Sequence, residues 1–78
     1  DMEAHFNELV PENAPYYQHT YEGSDDMPAH IKSALLGAEL TIPVAKGVLQ
    51  LGTWQGLFLW EHRNAPHDRN LVFSYIGN

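Results

Sequence analysis

The stretch Leu40–His62, LTIPVAKGVLQLGTWQGLFLWEH, decides the fold. Thr41, Ile42 and Val44 are β-branched, and Pro43 excludes a helix. Ala45-Lys46-Gly47 then reads as a turn, with Gly47 free to take positive φ. A second strand is predicted from Val48, through Gly52-Thr53-Trp54-Gln55-Gly56, to Trp60. Two glycines inside a strand mark a bulge, a bend or a close backbone approach. The pattern is therefore a hairpin with a long, bent second strand. Leu49, Leu51, Leu57 and Leu59 share one phase of that strand; Val48, Trp54, Phe58 and Trp60 share the other. A strand apolar on both sides is expected to be covered on both sides, by a second sheet, by helices or by another subunit.

The remaining sequence supplies two helices and a loop. Asp1–Val10 has Met2, Phe6, Leu9 and Val10 on one helical face, with Pro11 as its stop. His5 lies off that stripe. Ser24–Gly37 carries stronger signals: Asp25 or Asp26 to cap it, Pro28 for its first turn, and Gly37 after its end. Its expected buried stripe is Ile31, Ala34 and Leu35. Between the helices, residues 11–23 form a loop whose Tyr16, Tyr17 and Tyr21 need a surface to pack on. Glu61–Asn70 is a polar turn with a proline, and Leu71–Ile76 reads as a final strand.

Size and charge narrow the function. One domain of 78 residues is expected, and a chain this short buries only about 60% of the surface it exposes when unfolded. It has no cysteine, which excludes disulfides and thiolate chemistry. No apolar run approaches a membrane span, so a soluble, cytoplasmic protein is expected. The formal charge is −6, with Lys32, Lys46, Arg63 and Arg69 as the fixed cations. Nucleic-acid binding needs a basic footprint that this chain lacks. Five histidines are left as the natural carriers of site chemistry.

Two of them stand out. His19 sits in the tyrosine-rich loop, where the competing reading is a hydrogen bond to backbone. His30 lies in the first turns of the second helix near Asp26, where the helix dipole favours a neutral imidazole able to bind metal or accept a proton. His19, Asp26 and His30 together form a partial donor set for a divalent ion. Trp54 offers a stacking face and Gln55 a donor–acceptor edge for a heterocycle, against the alternative that the tryptophan is core. Glu61 is a candidate base, metal ligand or ion-pair partner of Arg63 or Arg69. No serine has nucleophile-elbow context, and there is no phosphate-cradling glycine loop.

Gly47-Val48-Leu49-Gln50-Leu51-Gly52-Thr53-Trp54-Gln55-Gly56-Leu57 resembles the signature of the YjbQ-like proteins, the uncharacterised family UPF0047. Its pattern is a glycine, four residues, Gly-Thr-Trp-Gln, and an aliphatic residue two places later. Ile42 and Val44 fit the aliphatic positions before it, while Glu39 stands where the family usually has serine. His19, the run Asp25–His30 (DDMPAH) and Glu61 match further recurring positions. The resemblance implies an α+β fold, an antiparallel β-sandwich with short helices assembled as a homotrimer. Residues 1–78 would be one YjbQ-like domain, a C-terminal fragment lacking the family's N-terminal strands and their His-Thr-Ser segment.

The activity implied is that of a thiamine-phosphate synthase, a transferase joining a pyrimidine diphosphate to a thiazole phosphate with release of pyrophosphate. His30, His19 and Glu61 would be catalytic; Trp54, Gln55 and Arg69 would bind the small phosphorylated ligand; zinc or magnesium would sit on His19, His30 and Asp26. Lys32 and Arg63 would share the phosphate charge with Arg69. The alternatives are a metal- or anion-binding protein without turnover, and an oligomer subunit whose apolar strands form an interface.

Overall fold

Pro11, Pro28 and Gly37 punctuate the N-terminal half as the sequence suggests. A computed structural model describes residues 1–77, with α1 at Met2–Leu9, α2 at Asp26–Leu36, β1 at Val44–Ala45 and β2 at Val48–Leu49. The class is α+β: two helices and a two-stranded antiparallel sheet. α1 closes at Val10, whose N–H donates to the Phe6 carbonyl at 2.9 Å immediately before Pro11. α2 closes at Gly37, which takes φ +80° and donates its N–H to the Ser33 carbonyl. Positive φ is costly for a residue with a Cβ, which is why glycine suits that position.

The helices bury different faces from those the hydrophobic stripes predict. In α1, Phe6 is half-buried and packs edge-on against Trp60, with ring centroids 5.5 Å apart. Val10 is buried, while Met2 and Leu9 are exposed. In α2 the buried residues are Pro28, Ala29 and Lys32. Ile31 is half-buried, and Ala34 and Leu35 are exposed. Residues 28, 29 and 32 share a face at helical spacing; it is the polar-flanked face near the start of α2 that meets the rest of the chain. In the loop, Tyr17 alone of the three tyrosines is held in, by Tyr16 edge-on at 5.1 Å and by its hydroxyl donating to the Pro11 carbonyl at 2.8 Å. Tyr16 and Tyr21 are exposed.

The hairpin turn forms where expected, and the long second strand does not. Val44 pairs with Leu49 and Ala45 with Val48. Lys46 and Gly47 both take positive φ, +53° and +74°, as the mirror-image two-residue hairpin turn requires. Gln50 N–H adds a bond to the Pro43 carbonyl at 2.8 Å. The Leu51 N–H then turns back onto the Leu49 carbonyl, and the ladder ends. Gly52-Thr53-Trp54-Gln55 is a tight turn rather than a bent strand. Gln55 N–H bonds the Gly52 carbonyl, and the Gln55 side-chain oxygen accepts from the Gly52 N–H at 2.6 Å.

Cover on both sides of residues 48–60 is likewise not found: Trp54 is 96% and Phe58 85% exposed. Residues 71–76 join no ladder among the described residues. A strand needs a neighbour to satisfy its backbone, and the described residues present none to these segments. The radius of gyration, 16.2 Å, exceeds the roughly 11–12 Å of a compact chain of this length.

A Cβ on Gly47 would meet no atom within 4 Å, so Gly47→Ala changes conformational preference alone. It should weaken the hairpin by about 1 kcal/mol, read as loss of cross-strand nuclear Overhauser contacts between Val44 and Leu49.

Candidate functional site

Arg63 gathers the N-terminal and C-terminal halves at one point. Its Nε donates to Asp25 Oδ2 at 2.9 Å, its Nη1 to Asp26 Oδ1 at 3.0 Å and its Nη2 to the Glu22 carbonyl at 2.9 Å. The Asn64 N–H adds a second bond to Asp25 Oδ2 at 2.8 Å. Asn64 also donates its side-chain amide to Glu12, whose other oxygen accepts from the Ser24 hydroxyl. Asp25 occupies the cap position of α2 but makes no side-chain cap bond. Its carboxylate is committed to Arg63 and Asn64 instead.

This clamp closes a cleft of about 240 Å³ between the helices and residues 60–64. Glu3 and Asn7 enter from α1, Pro28 and Lys32 from α2, and Trp60 and His62 from the C-terminal segment. Lys32 is only 8% exposed, and its Nζ donates to Asn7 Oδ1 at 2.6 Å. Trp60 separates Phe6 from His62, its ring centroid 5.1 Å from the imidazole. His62 Nδ1 is buried without a hydrogen-bond partner.

The charges around the cleft are tuned by these contacts. Hydrogen bonds from Arg63 and Asn64 hold the Asp25 carboxyl well below its usual range, at about 2. Arg69 grips Glu61 with two bonds of 2.7 and 2.8 Å and, with the Arg63 N–H, lowers that carboxyl to about 2. Burial, and then the Lys32 ammonium, push the His62 imidazole below its usual value, with Glu61 opposing. Arg63 and Arg69 are thus engaged by carboxylates, and Lys46 stands on the exposed hairpin turn.

Comparison with known proteins places this arrangement in a family. The pattern of the family described as "UPF0047 protein YjbQ-like" matches residues 1–78. The chain belongs to the YjbQ-like family. It is 54% identical over 77 residues to UPF0047 protein YjbQ of Salmonella typhimurium, covering 99% of this chain and 55% of that protein. A UPF0047 protein of Synechocystis is 52% identical over 99% of this chain and 52% of its own length. A UPF0047 protein of Methanothermobacter thermautotrophicus is 34% identical with the same coverage. The chain therefore spans just over half the length of these relatives. No solved structure matches it.

In this YjbQ-like chain the expected site residues lie in separate places. His19 lines a smaller depression of about 90 Å³ with Tyr17 and Met27. His30 projects from α2 with its side chain 70% exposed, 3.5 Å from Asp26 Oδ1. That same oxygen accepts from Arg63. His30 and Asp26 thus offer two donors for a metal, one already shared with a guanidinium, and among the described residues no group of three or more metal-binding side chains is arranged to hold an ion. Trp54 projects into solvent, and Gln55 is folded onto Gly52. Glu61 lines the larger cleft, and Arg69 holds it.

Trp60 and His62 line the cleft without being site candidates from sequence, whereas Lys32, expected to share phosphate charge, lines it too. The alternation Trp60-Glu61-His62 and the shared helical face of Pro28 and Lys32 are the signals that point to them.

The depressed carboxyls set the acid response. Asp25 and Glu61 bind protons in the unfolded chain near 3.8 and 4.5 but in the folded chain only near 2. Their stabilisation is therefore complete above the unfolded values and lost as pH falls toward about 2. His62 acts in the same direction in a higher window, its contribution fading as pH drops below 6.5. Urea midpoints should fall steadily from pH 7 to pH 2. In Arg63→Met, the carboxyl titration of Asp25, followed by carbon NMR, should move up toward 3.8.

Proposed function

We propose that this chain binds a small phosphorylated or otherwise anionic molecule in the cleft between α1, α2 and residues 60–64. The observation that carries the reading is the cleft itself. It is the place where both halves of the chain converge, and it combines an aromatic wall at Trp60 with polar groups at Lys32, Asn7 and His62. Small-molecule sites take this form: a concave space with a few converging polar groups.

For the whole protein we propose the thiamine-phosphate synthase type of transfer that the family resemblance implies. That reaction carries phosphate charge on both substrates and expels pyrophosphate, so it needs several cations aimed at phosphate oxygens. Arg63 and Arg69 are held by Asp25, Asp26 and Glu61. Further cations would have to come from a divalent ion or from additional polypeptide. The same proposal includes the antiparallel sandwich and the homotrimer, whose further strands and subunits would cover the exposed apolar side chains of residues 57–59 and 71–76. Those side chains, Phe58 and Phe73 among them, support it. A cytoplasmic location belongs to the same proposal; among the described residues no helix is long and apolar enough to cross a membrane.

Titration of the labelled chain with thiamine monophosphate, followed by NMR, tests the binding reading. Shifts should concentrate on Lys32, Trp60, His62 and Asn64. Shifts confined to His19 and His30, or none, would refute the cleft as the site. A coupled assay for thiamine phosphate formation then separates turnover from binding.

A further inference from the structure

Lys32 is buried in a way that the Arg63 clamp does not explain. An ammonium has three donors, and the hydrogen bond found for Lys32 goes to a neutral acceptor, Asn7 Oδ1. Among the described residues no carboxylate lies within 4.0 Å of its Nζ, although four acidic residues line the same cleft. A buried charge is ordinarily paired, because removing it from water is costly. His62, in the same cleft, has a buried Nδ1 with no hydrogen-bond partner among the described residues. Two residues that line one cleft therefore each carry a donor-capable group that is incompletely satisfied.

We propose that Lys32 and His62 form an oxyanion subsite, in which Lys32 Nζ and His62 Nδ1–H donate to the phosphate or carboxylate group of a small molecule. The assignment rests on reading the cleft as a binding site and names the part of it that takes the charge. Arg63 is not the anchor, since its Nε, Nη1 and Nη2 are each committed to Asp25, Asp26 or Glu22. The subsite is thus a point charge with an imidazole, rather than a guanidinium fork.

The acidic groups around it restrict the ligand further. Asp25 and Glu61 are neutralised by Arg63 and Arg69, and Glu12 is bonded to Ser24 and Asn64. Glu3 has no such partner among the described residues and would repel a second anionic group. At about 240 Å³ the cleft lies just below the roughly 300–1,000 Å³ of drug-sized sites. Both features select a small molecule with a single anionic head. Trp60 offers an apolar wall for its remainder.

Thermal unfolding of the chain with inorganic phosphate, and separately with acetate at matched ionic strength, tests the subsite. The melting temperature should rise with at least one of them. The larger response identifies phosphate or carboxylate as the preferred head group. Lys32→Met removes a buried unpaired charge, so it should melt at or above the wild type while losing about tenfold or more in anion affinity. His62→Phe should weaken binding several-fold. A Lys32→Met chain that melts lower but keeps the anion response would overturn the proposal, as would a wild type that responds to neither anion.

Should Lys32→Met fail to fold, nitrogen NMR of the wild type replaces it. Phosphate or acetate must then move the Lys32 Nζ or His62 Nδ1 resonance, and silence at both nitrogens with both anions overturns the assignment. If thiamine monophosphate still shifts Trp60 and Asn64 while these results are negative, the cleft reading stands and the Lys32–His62 assignment alone falls.

Discussion

One guanidinium holds this structure in register. Arg63 reaches back 37 and 38 residues to Asp26 and Asp25, and 41 residues to the Glu22 carbonyl. Its side chain is 25% exposed, and those of Asp25 and Asp26 are 15% and 13%. Charge-assisted bonds in such a partly shielded place are stronger and less screened than those on an open surface. The contact fixes Trp60 and His62 against α1 and α2, and so creates the cleft. The apolar core has too little else to offer: Val10, Pro28 and Ala29 are its buried apolar members.

The clamp also explains why Asp25, at the cap position of α2, makes no side-chain cap bond. A carboxylate can serve a metal, a backbone N–H or a guanidinium, and geometry decides among them. Asp25 holds the cap position yet turns to Arg63 and Asn64. Asp26 divides one oxygen between Arg63 and His30. The electrostatics of the site are thus mainly those of paired charges, with Lys32 and Glu3 as exceptions among the described residues.

Sequence carried the local features and missed the long-range ones. Pro11, Pro28 and Gly37 marked the helices because capping and φ preferences act over a few residues. Lys46-Gly47 marked the hairpin turn for the same reason. Residues 50–60 and 71–76 carry strand propensity, but a strand is completed by a neighbour. Without one, Gly52 and Gln55 bond to each other and the chain turns. The buried face of α2 was misread because hydrophobicity pointed to Ala34 and Leu35, whereas packing chose Pro28, Ala29 and Lys32. Of the candidate site residues, Glu61 does border the main cleft. His19 and His30 do not, because proximity in sequence across a loop and a helix start does not fix which way the side chains face.

The most direct measurement is a double-mutant cycle between Arg63→Met and Asp25→Asn, read by urea unfolding at neutral pH and low salt. The clamp account predicts that either substitution alone lowers the midpoint, and that the pair together cost clearly less than the sum of the two. Strictly additive losses, or a wild-type midpoint in the single variants, would contradict the claim that this contact holds the two halves together.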